Sequence, residues 1–291
     1  MEETRKVATL TYAMVTPSYW RDIDQFALLL ESAARYVPRD VRHYVVVARR
    51  DVPLFEPLRN DRWDLIVVED ILPRWLFRVP ALRWFWISLK TLPVRNWILQ
   101  QIVKLSIPGV VSEDVLLYAD SDMFFIRPYD PRDYEREGRV PLFAETGQKG
   151  LIPSNDIWER AAARLLGIPS EQDFDINYVG QLVCWRRANA IAMLKRVEQV
   201  TGRPWQQSIA ALSAFSEYIL YGLFVDRICG KESGHWSDPV VRNVNYWKMS
   251  PLDIAGLESL RNLRQDCHHS AMVSSKSGTK VEAIRQVFFK T

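Results

Sequence analysis

Two carboxylates separated by one serine, Asp120-Ser121-Asp122, interrupt an apolar run, and they are the residues in this chain best suited to chemistry. Val115-Leu116-Leu117-Tyr118-Ala119 before them reads as a buried strand. Met123-Phe124-Phe125-Ile126 then restores the apolar character until Arg127-Pro128 breaks it. Residues two apart on extended backbone project to the same side, so the pair is expected to present its oxygens together at a strand end. Such hard donors suit Mn²⁺ or Mg²⁺, and through the ion a diphosphate. The plainer alternative is a pair of turn acids capping a strand, which apolar flanks on both sides disfavour.

The elements that must position this pair follow from periodicity. Residues 6–15 read as a first strand ending in Thr16-Pro17-Ser18. Phe26, Leu29, Leu30 and Ala33 keep helical spacing to about Tyr36, where Val37-Pro38 stops the helix. Residues 43–48 and 65–68 are β-branched runs, and residues 96–106 read as the helix leading into the strand before Asp120. This cadence predicts an α/β fold with a mostly parallel sheet flanked by helices. The second half is more helical, over residues 156–166, 188–201, 206–213 and 216–230, with a short strand at 182–185. Ligands gather at the carboxyl ends of parallel strands, so Thr16-Pro17-Ser18 and the acidic pair are expected to face one crevice. Thr16, Ser18, Arg21 and Asp22, where the first strand gives way to the first helix, are candidate donor contacts; free N–H groups there suit an anion. Ser18 or Thr16 serves equally as a helix cap.

Composition bounds the answer. A chain of 291 residues with 48% hydrophobic and 25% charged content can bury a large core, and a net charge of +3 gives no sign of a nucleic-acid partner. Three scattered cysteines, Cys184, Cys229 and Cys267, lack the spacing of a disulfide framework or zinc site, which points to a reducing cytoplasm. No signal peptide or membrane-spanning run is expected. Without repeats or linkers, residues 1–291 read as one domain.

Three segments together resemble GT-A-fold glycosyltransferases: Thr16-Pro17-Ser18, the block from Trp97 through Leu105 ahead of Asp120-Ser121-Asp122, and Ser216-Glu217-Tyr218-Ile219-Leu220-Tyr221-Gly222. The lysine-bearing helix before an Asp-x-Asp strand is similar to glycogenin-like enzymes. The whole set is closest to bacterial glycosyltransferase-like proteins of unassigned specificity. The resemblance implies a GT-A (Rossmann-like) fold, with residues 1–130 as the nucleotide-sugar half and 131–291 as the acceptor side. It implies transfer from a nucleotide-sugar, UDP-sugar favoured, to a glycan or lipid-linked acceptor.

The resemblance also assigns roles. Asp120 and Asp122 hold the metal, Asp122 more directly. A histidine of the Cys267-His268-His269-Ser270 segment completes the site, and only one of His268 and His269 can point there. Lys104 and Gln101 face the donor, and Lys276 meets the diphosphate, although its spacing departs from the glycogenin-like pattern. Glu217, in the first turn of a helix, stands where inverting enzymes place a base; helix capping is its structural alternative. Asp175 and Asn177 form a second polar cluster for sugar hydroxyls, with Glu145 a weaker rival. Residues 73–97 mix Arg74, Arg78, Arg83, Lys90 and Arg95 with Trp75, Phe77, Trp84, Phe85, Trp86 and Trp97, and no acid. This is the composition of a peripheral contact at the inner face of the cell membrane, or of a flap over the core. Two other readings stand beside the transferase: a non-catalytic sugar- or membrane-binding protein, and a haloacid-dehalogenase-type phosphatase. The phosphatase fits poorly, because its Asp-x-Asp strand usually comes first in the chain.

Overall fold

A computed structural model describes residues 9–79, 85–151, 153–169 and 175–289. The start of the expected first strand (Lys6, Val7, Ala8), Arg83 and Trp84 lie outside the described residues. In chain order the elements are β1 (Tyr12–Pro17), α1 (Ile23–Tyr36), β2 (Arg42–Val47), α2 (Val52–Phe55), β3 (Trp63–Val67) and α3 (Val68–Ile71). Then come β4 (Leu76–Phe77), β5 (Phe85–Ser88), β6 (Val94–Arg95), α4 (Asn96–Ser106), β7 (Val115–Tyr118), β8 (Met123–Phe125), β9 (Val140–Phe143) and β10 (Glu145–Thr146). The second half holds α5 (Pro153–Leu166), β11 (Ile176–Asn177), β12 (Val183–Arg186), α6 (Arg187–Thr201), α7 (Trp205–Ala210) and α8 (Glu217–Leu223). It closes with β13 (His235–Asp238), β14 (Asn243–Tyr246), α9 (Ile254–Asn262), β15 (Ser270–Val273) and α10 (Val281–Phe288).

The chain is a mixed α/β protein around a five-stranded sheet of order β12-β7-β1-β2-β3. Strands β7, β1, β2 and β3 run parallel, and β12 is antiparallel to β7. Alternation along β1 sorts the two layers. Ala13 and Val15 pack with Leu116 and Tyr118 against α4 residues Ile98, Ile102 and Leu105. Tyr12 and Met14 pack with Val115 and Leu117 against Phe26, Leu29 and Ala33 of α1. Because β2 and β7 flank β1, the strand order reverses there, and the crevice beyond the carboxyl ends of β1 and β7 is a topological switch point.

A smaller sheet, β14-β15-β8, continues from the acidic pair, with β15 antiparallel to β8 and Met272 opposite Met123. Among the described residues no helix is long and apolar enough to cross a membrane.

Candidate active site

At the switch point Lys104 is the centre of a buried polar network. It lies on the inner face of α4, and its ammonium reaches Asp120 Oδ1 at 3.1 Å, Glu217 Oε1 at 3.2 Å and the Tyr218 hydroxyl at 2.9 Å. Asp120 is held on its other oxygen by Gln181 Nε2 at 3.0 Å. Gln101, one turn before Lys104, accepts the Glu217 N–H at 3.0 Å, tying the start of α8 to α4. The side chains of Lys104 and Glu217 are 5% and 6% exposed, while that of Asp120 is 30% exposed and forms the opening toward solvent.

Burial alone would favour a neutral lysine, but Asp120, then Tyr218 and Glu217, hold the ammonium well above its ordinary pKa. In return Lys104, with help from Gln181, overcomes burial and lowers the Asp120 carboxyl. Glu217 goes the other way: burial raises it further than Lys104 pulls it down. The single ammonium is shared between the two carboxylates at nearly equal distances.

The pair does not project to one side as expected. Met123 N–H closes a turn onto Asp120 O at 3.2 Å, so the backbone bends through Ser121-Asp122 instead of staying extended. Asp120 points to the α4 layer. Ser121, on the opposite face, donates to Asp22 Oδ2 at 3.0 Å. Asp122 turns toward the segment after β15, where its Oδ2 accepts the Ser275 N–H at 3.0 Å. Burial, then Asp120, and more weakly Asp22, push the Asp122 carboxyl up to about 7. Asp22 is raised too, mainly by burial.

Several polar atoms here are buried without a partner: Ser18 Oγ, Asp22 Oδ1 and Gln181 Oε1. Buried polar groups are normally hydrogen-bonded, so the unpartnered Asp22 Oδ1, on a carboxyl raised by burial, suits an added ligand or cation. The oxygen-only donor set of Asp22 and Asp122 fits Mn²⁺ or Mg²⁺. Among the described residues, however, no three His, Cys, Asp or Glu side chains already stand at ligand spacing. Leu182, directly after Gln181, has φ 56°, an uncommon backbone state for a non-glycine residue.

The other expected residues divide. Asp22, Gln101, Lys104, Asp120, Asp122 and Glu217 come together, while Ser18 lies just past the end of β1 with its N–H on Val46 O at 2.9 Å. Lys276 is exposed and follows Ser275, whose backbone touches Asp122, so it too lies on this side. Arg21 sits at the rim over the Trp20 ring, 4.9 Å from its centroid. Thr16 faces the α1 layer, where its hydroxyl meets His43 Nε2 at 2.9 Å in the core. The histidine pair is placed elsewhere. His269 lies against Ile126 at the far end of β8, about 13 Å of strand from Asp122. Its Nδ1 meets Pro128 O at 2.7 Å and its Nε2 meets the Tyr134 hydroxyl at 2.8 Å, which leaves no nitrogen for a metal. His268 Nδ1 accepts the Gln265 N–H at 3.0 Å. In place of the histidines, the antiparallel register brings Ser275 to Asp122. Asp175 is a loop clamp, accepting N–H bonds from Gly147 at 3.2 Å and Lys149 at 2.9 Å. Asn177 is 3.4 Å from both Glu145 and Asn155, forming a polar cluster of its own.

Sequence reasoning missed Gln181, Tyr218 and Ser275. Tyr218 was within reach, being adjacent to Glu217 in a quoted motif. The rest of that motif is architectural: Ser216 caps α8, and Tyr221 stacks on Trp185 at 4.6 Å and 10°. A Cβ at Gly222 would lie 2.1 Å from the Tyr178 ring, so that ring requires a glycine. No curated protein matches this chain. A family model does match, over residues 6–281, and the chain belongs to that family, a family of unknown function (DUF6492).

Proposed function

We propose that the chain is a metal-dependent GT-A-type glycosyltransferase, moving a sugar from a nucleoside diphosphate donor to a hydroxyl of a glycan or lipid-linked acceptor. UDP-sugar is the favoured donor. The observation that carries this reading is the charge arrangement at the switch point. A fixed ammonium, Lys104, is buried beside Asp120, while Asp122 is pushed up to about 7 within reach of Asp22's field. Such a site has a cation built in on one side and needs another on the other side, which suits a diphosphate bridged to a divalent ion.

In this reading Asp122 and Asp22 would hold Mn²⁺ or Mg²⁺, which would supply neutralisation of charge on the leaving diphosphate. The acceptor oxygen forms a bond to the anomeric carbon as the bond from that carbon to the phosphate oxygen breaks. The nucleoside diphosphate leaves with the electron pair, and the hydroxyl proton passes to Glu217. Burial raises the Glu217 carboxyl, which makes its carboxylate a better proton acceptor. Lys104 and Lys276 meet the departing charge, and Ser18, Asp22 and Gln181 supply the unpartnered atoms that the donor would satisfy. Tyr19 and Trp20 are 41% and 44% exposed at the rim and offer aromatic faces to a nucleobase.

The test is release of nucleoside diphosphate from a panel of UDP-, GDP-, CDP- and dTDP-sugars, with Mn²⁺ or with chelator. Metal-dependent turnover of one donor supports the reading. A folded protein that turns over none of them, but releases phosphate from a generic ester, belongs to the phosphatase class instead.

A further inference from the structure

The small sheet β4-β5-β6 has one side in the core. Leu76, Trp86 and Val94 are at most 3% exposed and join the cluster containing Ile98 and Ile102 of α4. Its other side faces out, with Phe77 37% exposed and paired across strands with Ile87. The turn from β5 to β6 has a fixed shape. Ser88 Oγ accepts the N–H groups of Lys90 at 3.1 Å and Thr91 at 2.8 Å, and the Thr91 hydroxyl at 2.8 Å. That ordered tip nevertheless holds Leu89 and Leu92 in solvent, 73% and 84% exposed. Single exposed leucines are ordinary on protein surfaces. Two on one braced tip, with Phe77 exposed on the adjoining strand, make an apolar edge.

Charge complements that edge. Arg74, Lys90 and Arg95 are exposed around it, and none of them joins an ion pair among the described residues. No aspartate or glutamate occurs anywhere from residue 71 to residue 112. An apolar tip bordered by cations without carboxylate partners, Lys90 lying 5.6 Å from the centroid of the Trp75 ring, matches the layering of an anionic bilayer surface, with acyl chains below and phosphates above.

We propose that this edge docks the protein on an anionic lipid bilayer, Leu89 and Leu92 entering the acyl boundary and Arg74, Lys90 and Arg95 meeting headgroup phosphates. Strand β6 runs directly into α4, and Lys104 follows Trp97 by about 10 Å along that helix. Docking therefore sets the crevice close to the membrane surface. The inference does not depend on sugar transfer. If the transferase reading holds, a lipid-linked acceptor is delivered to the crevice from the side of Trp97.

The test is co-sedimentation with protein-free vesicles of phosphatidylcholine alone, or with about 30% phosphatidylglycerol added. The wild type is expected to bind the anionic vesicles and to lose most binding at high salt. The L89S/L92S variant should bind them about tenfold more weakly. The K90E/R95E variant should lose the preference for anionic lipid. All four positions are exposed, and an unchanged near-ultraviolet circular dichroism spectrum confirms that each variant is folded. Failure of the wild type to bind either vesicle overturns the proposal and gives the edge to a protein partner. Equal binding of wild type and both folded variants also overturns it. Nucleotide titration of the same variants should be unchanged, which separates this proposal from the transferase reading.

Discussion

The two sides of the crevice treat similar carboxylates in opposite ways. On the α4 side, Asp120 has a buried ammonium and an amide on its two oxygens, and it is held ionised. On the β15 side, Asp122 has a backbone N–H and two neighbouring acids, and its carboxyl is pushed up to about 7. Two residues of sequence separation thus produce one carboxylate already neutralised and one that stays short of positive charge. The difference teaches that an Asp-x-Asp pair need not act as a symmetric chelate. Here the turn at Ser121-Asp122 sends one acid to a fixed cation and keeps the other available for an exchangeable one.

Removing the fixed cation should have the largest effect. Lys104→Met leaves Asp120 and Glu217 without their shared partner, and denaturant unfolding should show a loss of about 3–5 kcal/mol. A loss under about 1 kcal/mol would mean that the ammonium is not what stabilises the α4 side. Glu217→Gln comes next. If Glu217 takes the acceptor proton, turnover falls about 10²–10⁴-fold while donor affinity is kept. If Glu217 only serves as counter-ion to Lys104, donor affinity changes and the turnover ratio does not.

The β15 side should behave in the opposite sense. The folded pKa of Asp122 lies above its unfolded value of 3.8, so metal-free protein loses stability as pH rises from about 4 to 7. Asp122→Asn should flatten that slope and stabilise the metal-free protein at pH 8 by about 1–2 kcal/mol, allowing for screening of a half-buried group. Thermal unfolding across this pH range reads the effect, and an unchanged slope would place the coupled proton elsewhere. The smallest effect is expected of His268→Ala: metal-dependent nucleotide affinity should stay within about twofold, because that residue lies at the far end of β8. A large loss would return the histidine to the site.

The alternation and periodicity of the sequence made most of the fold legible. The helix expected at residues 96–106 is α4 as observed, and the strand–helix cadence became the main sheet. The approach of Asp22 to the Asp120-Ser121-Asp122 segment, made through Ser121, agrees with the expectation drawn from strand ends. The failures have particular causes. Thr16 shares a face with Met14, so β1 alternation could have assigned it to the α1 layer. The exchange of Ser275 for the histidines depends on the pairing of Ser270 with Phe125, a contact across the chain that no local pattern encodes. Gln181 is one amide in an irregular segment, and its partner Asp120 lies 61 residues away in sequence, a contact that no local pattern encodes.

The most direct measurement is calorimetric titration of UDP, GDP, CDP and dTDP into the wild type and Asp122→Asn, each with and without Mn²⁺. The expected result is metal-dependent binding of one nucleotide to the wild type, lost in a variant that remains folded. Equal binding by both proteins, or the same affinity with and without Mn²⁺, would contradict the claim that Asp122 is kept for an exchangeable cation.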